Sequence, residues 1–374
     1  MYDQIREDTL FAMFYGGVTF MALMASCYLL FRRANALAPD ITPPARLRKW
    51  TGLYLASIAL NHVWYLPLFF KTSSDDILMT ELIGGVLDSL TVFPFSIVIL
   101  FAMLQDHQRP LWPIAVMTVP ISLGIAVCVA TRSDALYPAI YAYVLLMGIG
   151  LIIYMVRATR QYGRWLRDNY ADLEHKEVWQ SFIVLAILLI VYLNYEFSND
   201  GPVYMYAMQV ICVMLICYLL WRVETLSELN IPANNTEVTA DDQGLPAEEP
   251  EEDNAFSLSI RNNIGPLLKQ HCEEPQLFLQ YNISVTELAK LIGTNRAYLS
   301  KHFAMQGTTY NDYINGLRIQ HFINLYHEAV STHQPVTAQQ LAHQSGFRSY
   351  NTFSIAFKKV TGMTATEWMR LTKL

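Results

Sequence analysis

Ser284-Val-Thr-Glu287-Leu288-Ala289-Lys-Leu-Ile-Gly293 returns fifty-three residues later as Thr337-Ala-Gln-Gln340-Leu341-Ala342-His-Gln-Ser-Gly346. Each copy opens with a hydroxyl residue and carries Glu or Gln three positions on, the capping box that starts a helix. Each runs through an apolar periodic stretch and stops at a glycine, which can take the positive φ of a helix-ending turn. A second helix follows each copy, with apolar residues four apart: Leu299 and Phe303, then Phe353 and Phe357. Helix, short turn and helix is the helix-turn-helix shape. Between the copies, Thr309–Val330 reads as one long helix with Tyr313, Leu317, Phe322 and Leu325 on its buried side. Pro335 stands just ahead of the second capping box.

Outward from this repeat the composition changes sharply. The whole chain has 374 residues, 53% hydrophobic and only 16% charged, with a formal charge of −6. Soluble chains carry about 25% charge, so the deficit argues against a purely soluble protein, and a disordered chain is ruled out. Three blocks divide the sequence. Residues 1–222 hold 15 basic and 16 acidic residues in a series of apolar segments. Residues 223–254 hold 10 acids and no Lys or Arg. Residues 255–374 hold 11 basic and 6 acidic residues, a local charge of +5 inside an acidic chain.

The first block contains seven apolar runs: Thr9–Phe31, Thr51–Phe70, Leu82–Leu104, Leu111–Ala130, Ala135–Val156, Ser181–Phe197 and Pro202–Trp221. About 20 helical residues cross a hydrocarbon core of roughly 30 Å. In lipid the backbone must satisfy its own hydrogen bonds, so such runs are expected to be transmembrane helices. The leader before the first run lacks a basic region, which favours a span over a signal peptide. With the N-terminus outside, the inner flanks carry 12 Lys or Arg and the outer flanks only Arg6, Lys71 and Arg132. That bias predicts a multi-pass protein of the cytoplasmic membrane with its C-terminal block in the cytoplasm.

Ionisable and amide groups inside spans are costly, and therefore candidates for function. Asn61, His62, Asp88, Asn194 and Glu196 all fall in the outer half of the bilayer in this orientation. They are read as a polar sensing pocket for an outside or membrane signal. The alternative is a structural pair, His62 with Asp88, that joins two helices. Pro94, Pro113, Pro120 and Pro138 are expected to kink helices or simply to pack.

The acidic segment 223–254 reads as a disordered linker, with its first residues extending the last span. Its negative charge repels both anionic lipid and nucleic acid. The five cysteines form no CxxC pair, and neither they nor the histidines show metal-ligand spacing. No catalytic constellation is present, neither HExxH, P-loop nor GxSxG, so neither an enzyme nor a cofactor is expected.

The C-terminal third resembles the AraC/XylS family of bacterial transcription regulators. The residues that carry the likeness are LAKLIGTNRAYLSKHF followed by TYNDYINGLRI, and LAHQSGFRSYNTFSIAFKKVTGMTATEW. The resemblance covers about residues 256–374 and says nothing of the apolar runs. It implies two recognition helices that offer residues to base edges in successive major grooves about 34 Å apart. On that reading Ala297, Ser300 and Lys301 of the first, and Tyr350, Asn351, Ser354 and Ile355 of the second, are base-contact candidates. Asn295, Arg296 and Arg348 stand at the turns, where phosphate contacts are expected. Lys358 and Lys359 either touch phosphate or form a solvated helix end. Arg318 anchors the linker helix or makes a surface ion pair. Ile355, Ala365 and Phe322 depart from residues usual in the family, which bears on how strongly the second module reads sequence.

The expected protein is thus all-α: a seven-helix transmembrane domain over 1–222, an acidic linker over 223–254, and a double helix-turn-helix domain over 255–374. Its expected partners are double-stranded DNA, the lipid bilayer, RNA polymerase, an unidentified small-molecule or membrane signal, and a second copy of itself. The alternative is a seven-helix transporter or membrane enzyme with a helical cytoplasmic tail.

Overall fold

Asp8 starts the first helix, its side chain accepting the amide of Phe11 at 3.0 Å. In the structure, a computed structural model, residues 8–32, 35–70, 73–198, 202–229 and 264–372 are described; for 192–198 and 202 the description is of backbone alone. Among these residues the fold is helical throughout, without a strand, and its one isolated β-bridge joins Tyr170 and Ser284. The chain divides into two units, Met1–Tyr162 with His175–Asn230, and Gly163–Glu174 with Ile231–Leu374.

The first unit is built from α1 (Thr9–Phe31), α2 (Ala45–Trp64), α3 (Ser74–Leu90), α4 (Val92–Met103), α5 (Trp112–Thr131), α6 (Tyr137–Asn169, whose last residues belong to the second unit), α7 (Trp179–Ser198) and α8 (Pro202–Thr225). Helix α1 packs on α2 and α8, α2 on α4, and α3 on α5. Contact between α1 and α2 is close enough for the Ser26 hydroxyl to donate to the Gly52 carbonyl at 2.7 Å.

Among the described residues, five helical stretches are long and apolar enough to cross a membrane: Thr9–Phe31, Ser74–Met103, Trp112–Thr131, Tyr137–Asn169 and Val203–Thr225. The second and sixth apolar runs do not join them. Helix α2 begins at Ala45, so it takes in Arg46, Arg48 and Lys49 as well as Asn61 and His62. The sixth run contributes the shorter apolar stretch Trp179–Val191 among the described residues. Large apolar side chains point outward, with Met13, Leu146 and Ile190 each about two-thirds exposed.

The proline positions sort by helix geometry. Pro94, Pro113 and Pro138 lie in the first turns of α4, α5 and α6, where a missing N–H costs nothing. Only Pro120 of the four is interior to a helix. The third apolar run is interrupted at Thr91, because a proline ring at 94 clashes with the helical carbonyl at 90.

Helix α8 stops at Thr225, and the next residues do not continue it. Instead Leu226 and Leu229 are buried. Ser227 N donates to His175 O at 2.8 Å and Glu228 N to Thr42 O at 2.8 Å. Gln105 clasps the same segment, donating to Ser227 O and accepting from Leu229 N, both at 3.0 Å. The remainder of the acidic linker lies outside the described residues.

The second unit contains α9 (Val285–Leu291), α10 (Arg296–Met305), α11 (Tyr310–Ser331), α12 (Ala338–Gln344), α13 (Tyr350–Thr361) and α14 (Ala365–Leu371). Both capping boxes form. Glu287 N donates to Ser284 Oγ at 3.3 Å and Ser284 N to Glu287 Oε2 at 2.8 Å. Gln340 N donates to Thr337 Oγ1 at 3.2 Å and Thr337 N to Gln340 Oε1 at 3.1 Å. Helices α9 and α10 close one apolar cluster with Leu288, Leu299 and Phe303, to which α11 gives Tyr310 and Ile314. Helices α12 and α13 close another with Leu341, Phe353 and Phe357, to which α11 gives Ile319, Phe322 and Tyr326. The long helix thus belongs to both cores. Of the four residues expected on its buried side only Phe322 is fully covered; Tyr313, Leu317 and Leu325 flank the clusters.

Candidate nucleic-acid interface and a polar cluster in the bundle

Each helix pair turns through a left-handed glycine. Gly293 has φ +73 and Gly346 has φ +83. At Gly346 a Cβ would also meet the Leu279 backbone at 2.7 Å, so glycine is required twice over. After each turn a side chain caps the following helix: Asn295 accepts from Tyr298 N at 2.9 Å and Ser349 from Thr352 N at 3.3 Å. The Asn295 side-chain oxygen is therefore spent on the helix start, which leaves its Nδ2 as the group able to donate to a phosphate.

On α10, Ala297 and Lys301 are exposed and Ser300 is half-buried. Arg296 is half-buried, its guanidinium 6.0 Å from the centre of the Trp165 ring. Burial lowers its pKa, against the opposing influence of Tyr170 and Asp168. On α13, Tyr350, Asn351 and Ile355 are exposed, Ser354 is half-buried, and Arg348 is half-buried in the turn. Ile355 presents an apolar side chain, 65% exposed, in the second turn of α13. Lys358 is exposed, whereas Lys359 pairs with Asp312 of α11 at 2.5 Å. Both lysines face solvent, and Lys359 is in addition paired within the domain.

Arg318 is not a surface ion pair. It is 1% exposed, and its Nε and Nη2 donate to the Phe278 and Gln280 carbonyls, both at 2.7 Å. Its guanidinium lies 5.6 Å from the Phe347 ring centre. Burial pulls its pKa down to about 10, with Asp172 foremost among the groups that oppose the fall. It binds the 3₁₀ turn Leu277–Leu279 to the linker helix, as an anchor does.

In the first unit, the polar residues expected to form a pocket divide into two linked groups. Asn61 Nδ2 donates to Asp88 Oδ1 at 2.8 Å, and Tyr65 OH donates to Asp88 Oδ2 at 2.9 Å. His62 is buried, with Nδ1 2.9 Å from Ile58 O and Nε2 3.0 Å from Gln209 Oε1. The carbonyl of Ile58 can only accept, so Nδ1 carries a proton. In a neutral imidazole Nε2 is then an acceptor, which the Gln209 amide satisfies once its NH₂ faces the ring. Tyr15 OH donates to the His62 carbonyl at 2.7 Å. The direct His62–Asp88 pair is absent: each binds other partners. Gly84 makes this arrangement feasible, since a Cβ there would lie 2.5 Å from the Tyr65 ring. The side chains of Asn194 and Glu196 lie outside the described residues.

Sequence reasoning missed Tyr65, Gln209 and Gly84, as well as the tail of α6. The tail carried a signal, the i, i+4, i+8 series Ala158, Tyr162 and Leu166, all buried. Gln209 sits alone in an apolar run and gave none. All five cysteines are free, and among the described residues no cluster of His, Cys, Asp or Glu could hold a metal.

The C-terminal third thus holds two capped helix pairs that share one long helix. Residues 288–371 match the helix-turn-helix domain family. Over 68 residues the chain is 35% identical to the HTH-type transcriptional activator RhaR of Salmonella heidelberg (strain SL476), Salmonella typhi and Salmonella arizonae. That alignment covers 18% of this chain and 22% of each relative, so the chain spans about a fifth of the curated relatives it matches. No solved structure matches the chain. The likeness is thus to the helix-turn-helix region of transcriptional activators, and it is confined to this part of the chain.

Proposed function

We propose that the protein is a one-component transcription regulator held in the bacterial cytoplasmic membrane. The observation that carries this reading is the joining, in one chain, of apolar helices long enough to span and a helix-turn-helix region. Seven spans with the N-terminus outside account for the twelve-to-three distribution of basic flanks, α2 carrying charged residues at its start and α7 giving the shorter apolar stretch among the described residues. The domain 255–374 then faces the chromosome.

Two helix-turn-helix modules, α9–α10 and α12–α13, meet DNA through Ala297, Ser300 and Lys301, and through Tyr350, Asn351, Ser354 and Ile355. Arg296, Arg348 and Lys358 supply phosphate contacts, with Asn295 and Lys359 in supporting positions. The local charge of +5 favours this encounter. The cluster of Asn61, His62 and Asp88, with Asn194 and Glu196, receives the signal. Its change passes to the reader domain, which acts as a homodimer alongside RNA polymerase.

The test is titration of labelled duplex DNA against the full chain in lipid nanodiscs. Binding that falls steeply with salt is expected, since phosphate contacts release counterions. Lys301→Ala should then weaken binding to a selected site more than to random duplex. Absence of DNA binding at low salt contradicts the reading.

A further inference from the structure

The second unit includes a segment that sequence reasoning assigned to the other domain. Gly163–Glu174, the end of α6 and the turn after it, lies on the first helix pair. Ala171 is fully buried in the cluster that holds Leu288, Leu299 and Phe303. Asn311 Nδ2 lies 2.6 Å from the Ala171 carbonyl and 3.2 Å from that of Tyr170, and donates to both. Asn315 Nδ2 reaches the Ala171 carbonyl at 3.3 Å. Tyr170 pairs with Ser284, the cap residue of α9, in an antiparallel bridge. The seat is thus apolar at its centre and hydrogen-bonded on its backbone, as a specific docking site is.

This segment engages the reader edge of α10. Trp165 holds the Arg296 guanidinium by a cation–π contact. Asp168 lines one surface cleft with Ser300, Lys301 and Thr309. Burial raises the Asp168 carboxyl, and the nearby Arg167 and Arg296 oppose that rise. Of the α10 residues that meet DNA in the reading above, Arg296 therefore lies against an indole of the chain itself, and Ser300 and Lys301 line a cleft with one of its carboxylates. An anionic side chain in that cleft repels a phosphate, and an arginine stacked on Trp165 cannot also reach one. Ala297 and Lys301 remain exposed, as Tyr350, Asn351 and Ile355 of α13 are, so this segment takes up the Arg296 edge and not the whole helix face.

We propose that Gly163–Glu174 is an intramolecular ligand of the first reader module, a strap that occupies the Arg296 edge and competes with DNA for it. This rests on the DNA-binding reading. The strap is continuous with α6, so the chain that leads into it is the route by which it is drawn off. DNA engagement by α10 requires the strap to leave.

The experiment compares the full-length wild type with Asn311→Ala and Trp165→Ala in nanodiscs, by anisotropy of a fluorescein-labelled 30-base-pair mixed-sequence duplex. Asn311 is outside the DNA-contact candidates, and its loss removes two hydrogen bonds to the strap. Both variants should bind about three- to tenfold more tightly than wild type. Equal or weaker binding by correctly folded variants, judged by circular dichroism, overturns the strap. A second measurement does not depend on those variants: Ala171→Cys is alkylated with maleimide and read by peptide mass spectrometry. Saturating DNA should speed alkylation at position 171; an unchanged rate overturns the proposal. If no chain binds duplex at low salt, the DNA-binding reading fails and the strap with it. If all bind with one affinity, only the strap fails.

Discussion

Gly346 and Arg318 show what single residues must do for the reader domain to exist. Gly346 combines φ +83 with a backbone contact that leaves no space for a Cβ. Gly346→Ala should therefore destabilise the domain by more than about 1 kcal/mol, through both strain and collision. Thermal unfolding of the full chain monitored at Trp368 or a nearby label would measure it, and an unchanged midpoint would contradict the geometry. Arg318 binds two carbonyls that its removal would leave buried and unpaired. Arg318→Met should cost about 2–5 kcal/mol, as buried acceptors lose their donor, despite the gain of an apolar side chain. In the bundle, Gly84→Ala should displace the Tyr65 ring from Asp88, so that a Tyr65→Phe change adds little on top of it. Additive losses of stability in that double-mutant cycle would show that Gly84 and Tyr65 are not coupled.

At the scale of elements, local chemistry and burial pattern were legible to different degrees. Both capping boxes and the turn glycines follow from hydroxyl, carboxyl or amide, and glycine placed at fixed offsets, and all form in the structure. The linker helix was expected over Thr309–Val330 and is found at Tyr310–Ser331 with Thr309 as its cap. Its buried face was less legible. Arg318 and Asn315 are buried there, and a sequence pattern treats both as solvent-facing. The polar cluster followed the same rule: Asn61, His62 and Asp88 were visible as costly residues in apolar runs, but their partners were not. Tyr65 sits at a helix end and Gln209 on a distant helix, and pairing of that kind depends on packing between elements. The third apolar run looked continuous, and the ring of Pro94 breaks it at Thr91. Helix α11 serves both apolar clusters, so Phe322→Ala should cost about 3–5 kcal/mol and loosen both helix pairs in one transition. Hydrogen exchange that exposes only α12–α13, leaving α9–α10 at wild-type protection, would contradict a shared core. Thr337→Ala, which removes one cap, should cost only about 1 kcal/mol in the same assay.

Across the whole molecule, the partition of charge and hydropathy carries the account. The apolar first block, the acid-only middle and the basic last block were plain in composition. What composition could not locate was the boundary inside α6, whose final turns belong with the reader domain. Nor could it show that the residues just after α8 fold back on Gln105, His175 and Thr42. Orientation makes a separate prediction: an alkaline phosphatase fused after residue 374 should be inactive, and a green fluorescent protein fused there should fluoresce. An active phosphatase would place the helix-turn-helix region on the wrong side of the membrane. The most direct test of the central claim is cross-linking of the full-length chain to the chromosome in living cells, followed by its isolation from the membrane fraction and sequencing of the bound DNA. The account predicts discrete enriched sites that vanish when Lys301 and Asn351 are both changed to alanine; a membrane-fraction chain that enriches no site above this variant would contradict it.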